Sequence, residues 1–271
     1  MVSAGPRVGW TLVPVDADTP GRHHMPRLDV TIPAPDGDAA ATLHVPDGDG
    51  PWPGVLMFPD AGGARETFSA MGDRMASMGY VTLVPDVYYR NPGYAPFDLA
   101  TVFSDPDERA RLGELMSTLT NDRLIADANA YLDFLLARPE VTGTGAGTTG
   151  YCMGGRASML VAGGVPDKVA AAASFHGGRL APADDPTSPH LLAAAVKAKV
   201  YVAGASDDSS FPQEQFDTLD AALTDAGVEH TIETYPAAHG FAVPDNPTYD
   251  KDAEERHWAA LDDLYGSALS R

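Results

Sequence analysis

The only cysteine of the chain, Cys152, lies in the sequence Gly150-Tyr-Cys-Met-Gly154-Gly155, between a strand-like run and a helix-like run. A glycine two residues before it and another two residues after it favour a turn that is too tight for bulky side chains. Such a turn lifts the central side chain above the end of the strand and points a helix N-terminus at it. The positive end of that helix would stabilise a thiolate, which is the reactive form of cysteine. A buried structural thiol is the alternative for a lone cysteine, and the glycine spacing favours a nucleophile.

A cysteine nucleophile needs a base and an acid, and the chain supplies candidates for both after later strands. The run 198–203 is followed by Asp207 and Asp208, and the run 230–235 is followed by His239. The chain order nucleophile, acid, histidine is that of the α/β-hydrolase fold. We predict that the histidine takes the thiol proton and later helps water to hydrolyse an acyl-enzyme, while the acid fixes its tautomer. Asp208 is preferred to Asp207, although such a pair is more often a turn or a helix cap.

The loop Phe58-Pro-Asp-Ala-Gly-Gly63 follows an apolar strand and stands where this fold supplies one N–H group of an oxyanion hole. We assign that N–H group to Ala61 and the other to Met153, the residue after the nucleophile. Each such donor is worth about 3 kcal/mol to a transition state with a developing oxyanion. An ordinary strand-to-helix turn is compatible with the same glycines.

The alternation of apolar runs and amphipathic segments predicts an α/β fold, with a doubly wound, mostly parallel sheet flanked by helices. Strands are predicted at 28–32, 40–45, 53–58, 80–84, 148–152, 169–175, 198–203 and 230–235. Helices are predicted at about 65–78, 107–119, 122–137, 154–162, 213–226 and 250–266. The segment 86–106 is rich in Pro, Tyr and Asp and is expected to be irregular. We expect residues 1–26 to form a loosely ordered arm and residues 27–271 to form a single domain.

Composition narrows the class of partner. The chain has 271 residues, a hydrophobic fraction of 44% and a formal net charge of −20, from 38 acidic and 18 basic residues. This charge disfavours nucleic acid and anionic membranes as partners, and the chain lacks both a signal-peptide pattern and an apolar run that could span a bilayer. We therefore expect a cytoplasmic protein, monomeric or homodimeric, that binds a small molecule.

No cofactor or metal ion is expected either, because the chain shows neither a zinc-ligand spacing nor a phosphate-binding loop. The glycine-rich run 143–147 lacks the lysine of such a loop and is expected to precede its strand.

Three segments of the chain resemble the dienelactone hydrolase family. They are Gly150-Tyr-Cys-Met-Gly-Gly155, Pro85-Asp-Val-Tyr-Tyr-Arg90 and Ala238-His-Gly-Phe241. The similarity covers most of residues 28–266, and the cysteine in the tight turn is its specific feature, since most α/β-hydrolases carry serine there.

The resemblance implies a Cys152–His239–Asp208 triad that hydrolyses an enol lactone without a cofactor, as carboxymethylenebutenolidase does. Such a substrate is 4-carboxymethylenebut-2-en-4-olide, which is converted to maleylacetate. The spacing to Pro212 also favours Asp208 over Asp207 when the family's acid loop is laid on this one.

The resemblance further implies a way of controlling the thiol. In the family, a glutamate after the third strand holds the resting thiol neutral, and an arginine after the next strand binds the substrate carboxylate and draws that glutamate away. In this sequence Asp60 stands at the glutamate and Arg90 at the arginine, so both are assigned to substrate binding. A second carboxylate-binding arginine is expected where this chain has Val243. These departures point to a different lactone, or to a small ester without the same carboxylate.

Two more residues are assigned to the substrate site. Tyr88 is expected to shape the substrate loop, and His176, which follows a strand at the same sheet edge, to line the pocket; packing roles are the alternatives. The rival functions are a carboxylesterase or thioesterase of the same fold, a ligand-binding relative without turnover, and a redox-sensing thiol.

Overall fold

The computed structural model describes residues 13–14 and 27–269. Its strands are β1 (Val13–Pro14), β2 (Arg27–Ala34), β3 (Gly37–His44), β4 (Trp52–Phe58), β5 (Val81–Pro85), β6 (Val141–Tyr151), β7 (Val169–Phe175), β8 (Lys199–Asp207) and β9 (His230–Ala238). Its helices are α1 (Glu66–Ser77), α2 (Pro106–Ser117), α3 (Asn121–Leu136), α4 (Met153–Gly164), α5 (Gln213–Asp225) and α6 (Lys251–Ala268), with a 3-10 helix at Pro189–Ala195. The expected arm at residues 1–26 lies outside the described residues except for β1, so the division into an arm and one domain stays a prediction.

The described strands form one sheet in the order β1-β2-β3-β5-β4-β6-β7-β8-β9. The pairs at the β1 end, as far as β3 with β5, are antiparallel, and every pair from β5 to β9 is parallel. Central parallel strands are buried on both faces, which explains the continuous apolar runs of β4, β5 and β7. The predicted mostly parallel α/β sheet is confirmed.

The predicted strands and helices are present, with boundaries displaced by a few residues, and the segment 86–106 is irregular apart from the first residue of α2. The largest difference is β6, which begins at Val141 instead of Thr148. The prediction that the run 143–147 precedes its strand was therefore wrong. Glycine has a low strand propensity, which hid the first half of β6 in the sequence. At Gly147 the missing side chain has a packing role, because a Cβ there would lie 2.6 Å from Cε1 of Tyr265 on α6.

Two apolar layers attach the helices to the sheet. Helices α2 to α5 pack on one face around residues such as Leu83, Leu132 and Leu160, and helices α1 and α6 pack on the other around Met75 and Trp258. With both faces covered, polar side chains from different strands meet in the loops at the carboxyl ends of the parallel strands. Within residues 27–269, no helix is both long and apolar enough to cross a membrane.

Candidate active site

Cys152 occupies a strained turn between β6 and α4. Its φ is 54° and its ψ is −114°, in a region that L-residues seldom adopt and that costs on the order of 1–3 kcal/mol. The Cys152 N–H donates to the Phe175 carbonyl at 3.1 Å, and the Gly155 N–H donates to the Cys152 carbonyl at 3.0 Å. These bonds fix the nucleophile candidate at the end of a central strand and at the N-terminus of α4.

The glycines of this turn are required by close backbone approach. A Cβ at Gly150 would lie 1.9 Å from the Gly154 carbonyl oxygen, and a Cβ at Gly154 would lie 2.4 Å from the carbonyl oxygens of Phe58 and Pro59. Backbone atoms cannot rotate out of the way as a side chain can. The second contact presses the start of α4 against the loop after β4. It therefore brings together the two segments to which the oxyanion hole was assigned.

His239 follows β9 and contacts both of its predicted partners. Its Nδ1 donates to Asp208 Oδ2 at 2.7 Å, and its ring interacts electrostatically with the side chain of Cys152. Burial disfavours the imidazolium, but the interactions with Asp208 and Cys152 outweigh that effect and raise the pKa of His239 to about 10. The exposed Asp207 makes no such contact. The acid, the imidazole and the thiol are thus aligned in the order that the sequence predicted.

Asp208 is held in place from its other side by Ser210. Its Oδ1 accepts from the Ser210 N–H at 2.8 Å and from the Ser210 Oγ at 2.6 Å. Burial raises the pKa of Asp208, yet the hydrogen bonds from His239 and Ser210 keep it below its usual value. The sequence analysis did not single out Ser210, although an Asp followed two residues later by Ser is a turn signal.

Tyr88 braces the two segments of the candidate oxyanion hole. Its hydroxyl donates to the Ala61 carbonyl at 2.8 Å and lies 3.7 Å from Met153 Sδ. Burial raises the pKa of Tyr88 well above its usual value, so the hydroxyl keeps its proton and remains a donor. The Tyr88 hydroxyl thus contacts both segments and links them. Its predicted contact with substrate stays a prediction.

Asp60 is buried and bound to an arginine that the sequence analysis did not consider. Arg65 donates from Nη1 to Asp60 Oδ1 at 2.7 Å and from Nη2 to Oδ2 at 2.9 Å, and the Gly62 N–H donates to Oδ1 at 2.9 Å. The same guanidinium donates from Nε and Nη2 to the two carboxylate oxygens of Asp245, both at 2.7 Å. The hydrogen bonds of Asp60 therefore go to Arg65 and to its own loop rather than to the thiol.

Arg90 is likewise bound to carboxylates of the chain. It pairs with Asp127 on α3 through Nη1 at 2.7 Å and Nη2 at 2.8 Å, and with Asp36 between β2 and β3 through Nε at 2.7 Å. Its side chain is 9% exposed, and the guanidinium lies over the Tyr89 ring at 4.6 Å. This pairing differs from the expectation of an arginine available to a substrate carboxylate. The structure does not join Arg90 to the acid, the imidazole or the thiol.

His176, at the end of β7, lies beside His239. The two ring centroids are 5.1 Å apart, and the ring of Phe241 lies 4.9 Å from His176 on another side. His176 is fully buried, and within the described part of the chain neither ring nitrogen has a hydrogen-bond partner. Burial, and the nearby His239 and His257, hold the pKa of His176 well below its usual value, so the ring is neutral. His176 therefore lies against the imidazole of His239. Its predicted contact with a substrate stays a prediction.

The parallel sheet, the tight turn after a central strand, and the acid and histidine after later strands define an α/β-hydrolase. The chain matches the dienelactone hydrolase family over residues 39–269, and it belongs to that family. The resemblance stated from the sequence is thereby confirmed.

Several known proteins are similar to this chain. A relative from Methylorubrum extorquens, named "Putative carboxymethylenebutenolidase", is 28% identical over 88% of this chain and 79% of its own length. The crystal structure of a "Putative Dienelactone Hydrolase" from Klebsiella pneumoniae has a TM-score of 0.75 at 25% identity, covering 88% of this chain and 97% of that one. A dienelactone hydrolase-like promiscuous phosphotriesterase from metagenomic libraries has a TM-score of 0.70 at 25% identity, covering 89% and 98%. These similarities support a hydrolase.

Proposed function

We propose that the protein is a cofactor-independent hydrolase of a small lactone, acting through a Cys152–His239–Asp208 triad and an acyl-enzyme. The observation that carries the proposal is the hydrogen bond from His239 to Asp208 beside the electrostatic interaction of His239 with Cys152, at a turn where a Cβ on Gly150 or Gly154 would collide with the backbone. A dienelactone is the first substrate to test, because the name of the Methylorubrum extorquens relative refers to the hydrolysis of that lactone class.

In the proposed reaction, the Cys152 sulfur attacks the lactone carbonyl carbon and forms a tetrahedral intermediate. The N–H groups of Ala61 and Met153 stabilise its oxyanion, and the imidazolium of His239 gives its proton to the departing ring oxygen. The C–O bond breaks, which opens the ring and leaves a thioester on Cys152. His239 then takes a proton from water, the resulting hydroxide displaces the sulfur, and the carboxylic acid product leaves. Asp208 keeps the imidazole in the required orientation throughout.

A small ester is the second candidate substrate, and the state of Arg90 favours it. That arginine is bound to Asp127 and Asp36, and Val243 stands where a second arginine was expected. At both positions, the arginine that would bind the substrate carboxylate in the family is either already paired or replaced. A substrate without that carboxylate, or one that presents it elsewhere, suits this site better.

The proposal is tested by comparing wild type with Cys152→Ala on cis- and trans-dienelactone and on p-nitrophenyl acetate, followed by absorbance. Loss of the nucleophile should lower turnover by about 10³-fold or more, with circular dichroism and Tm unchanged. Cys152→Ser, which keeps the shape but offers a poorer nucleophile, should lose much of the activity. Turnover that survives in Cys152→Ala contradicts the triad. Turnover of the ester alone selects the second candidate, and saturable binding without product contradicts both.

A further inference from the structure

Arg65 connects two loops that border the candidate site. It lies immediately before α1, directly after the loop that contains Ala61, and it binds Asp60 in that loop and Asp245 in the loop after His239. The side chain of Asp60 is 6% exposed and that of Asp245 is 39% exposed, so the inner partner is the more firmly enclosed. A bidentate arginine–carboxylate pair fixes both position and orientation. Arg65 therefore determines where the Asp60 carboxylate points.

The loop at Gly62 packs tightly against the Arg65–Asp60 ion pair. A Cβ at Gly62 would lie 2.9 Å from Arg65 Nη1 and 3.1 Å from Asp60 Oδ1. The loop of Asp60 and the turn of Cys152 are adjacent, because a Cβ at Gly154 would lie 2.4 Å from the Pro59 carbonyl oxygen. The Tyr88 hydroxyl contacts the next residue of each segment, Ala61 and Met153. An Asp60 carboxylate without its arginine would be a second anion beside the thiol. Such an anion disfavours a thiolate.

The titratable and charged groups around the thiol come from the ends of five strands. They are Asp60 and Arg65 after β4, Asp86, Tyr88 and Tyr94 after β5, His176 after β7, Asp208 after β8 and His239 after β9. The carboxylate of Asp86 accepts from the Tyr88 N–H and the Tyr94 hydroxyl, and that of Asp208 accepts from Ser210 and His239. Asp60 is the carboxylate of this set that an arginine balances.

We propose that Arg65 is a positioning residue, which holds the Asp60 carboxylate away from Cys152 and balances its charge, so that ionisation of the thiol depends on His239 and not on arrival of a substrate. This inference rests on the proposed function, because it takes Cys152 as the nucleophile. It differs from the control that the resemblance implies, in which a substrate must draw a carboxylate away from the thiol. Here an arginine of the chain already does so in the free protein.

The test measures the rate at which iodoacetamide alkylates Cys152 as a function of pH, read by intact mass. The chain has one cysteine, so the label is unambiguous. In Arg65→Gln the midpoint of the pH profile should rise by about one unit, which corresponds to about tenfold less thiolate at a pH below the midpoint. In the double variant Arg65→Gln/Asp60→Asn the midpoint should return to the wild-type value, because the anion released by the first substitution is gone.

Arg74→Gln is the matched control, because it removes a pair of ionic contacts, to Glu254 and Glu255, from α1, the helix that begins directly after Arg65. Its midpoint should equal that of wild type, and an equal rise in Arg74→Gln would overturn the proposal. An unchanged midpoint in folded Arg65→Gln, or a raised midpoint that persists in the double variant, would do the same.

Arg65→Lys replaces the glutamine variant if circular dichroism shows that the latter does not fold. Lysine keeps the charge but cannot make the bidentate hydrogen bonds, so a smaller rise of the alkylation midpoint is expected. An unchanged midpoint contradicts the proposal. Alkylation needs no turnover. The result is therefore independent of the lactone assay, in which survival of activity in Cys152→Ala would instead remove the proposed function.

Discussion

The two halves of the candidate site are held in place by different means. Cys152, His239 and Asp208 are positioned by strand ends and a glycine turn, and His239 interacts with both of the others. Asp60 and Arg90, which were assigned to the substrate, are positioned by ion pairs with groups elsewhere in the chain. The first half follows from local backbone rules, whereas the second half depends on which distant charges meet.

This difference has a consequence for how substrate specificity changes within a family. An arginine that already binds a buried carboxylate cannot turn to a substrate without leaving that carboxylate unpaired, and breaking such a pair costs about 3–5 kcal/mol. The site around the nucleophile can therefore stay constant while recognition of the substrate is altered by single charges outside it. Arg90 is bound in this way to the buried Asp127 and also pairs with the exposed Asp36.

Disruption of the backbone-determined half should have the largest effect. Gly150→Ala places a Cβ 1.9 Å from a backbone carbonyl oxygen, so we expect destabilisation above about 4 kcal/mol and little folded protein. Gly113→Ala on α2 is the control, since nothing lies within 4 Å of its Cβ, and it should stabilise by about 0.5–1 kcal/mol. Urea denaturation measures both. Wild-type stability in Gly150→Ala would show that the turn is not as tight as described.

Disruption of the half that depends on ion pairs should affect stability more than turnover. Arg90→Gln leaves the buried Asp127 without its cation, and we expect a loss of about 3 kcal/mol in the free energy of unfolding with kcat nearly unchanged. Lys197→Ala removes a pair with Asp167 that is exposed on both sides, and its Tm should equal that of wild type. If Arg90→Gln instead raises KM for a carboxylate substrate and leaves stability unchanged, Arg90 binds the substrate carboxylate as the sequence predicted.

The smallest expected effect is a pH dependence of the stability that His239 contributes. The pKa of His239 is raised from 6.5 to about 10 in the folded protein, so its contribution to stability is fully present below pH 6.5 and is lost as the pH rises through about 10. The difference in unfolding free energy between wild type and Asp208→Asn should therefore shrink over that window. Urea titrations at both ends of it provide the measurement. A difference that grows with pH would mean that His239 gains no stabilisation as a cation.

The predictability of the site from sequence follows the same division. The glycine spacing around Cys152 and the positions of Asp208 and His239 after their strands are local signals, and they indicated both the fold and the residues that the structure brings together at the candidate site. Arg65 gave no such signal, because an arginine in a loop has no fixed spacing to its partners, of which Asp60 is 5 and Asp245 is 180 residues away. Asp127 lies on the buried face of α3, where an apolar residue is expected, and only the folded chain shows that Arg90 and Tyr89 donate hydrogen bonds to it.

The place of His239 in the sheet has a dynamic consequence. The strand that leads into Cys152, β6, lies between β4 and β7, whereas β9, which leads into His239, pairs with β8 alone among the described strands. Central strands open only with the whole fold, while segments with fewer partners open locally at lower free energy. Fraying of this last strand would part the imidazole from the thiol while the middle of the sheet stays intact. Turnover should thus be lost on warming at a temperature below that at which the sheet unfolds.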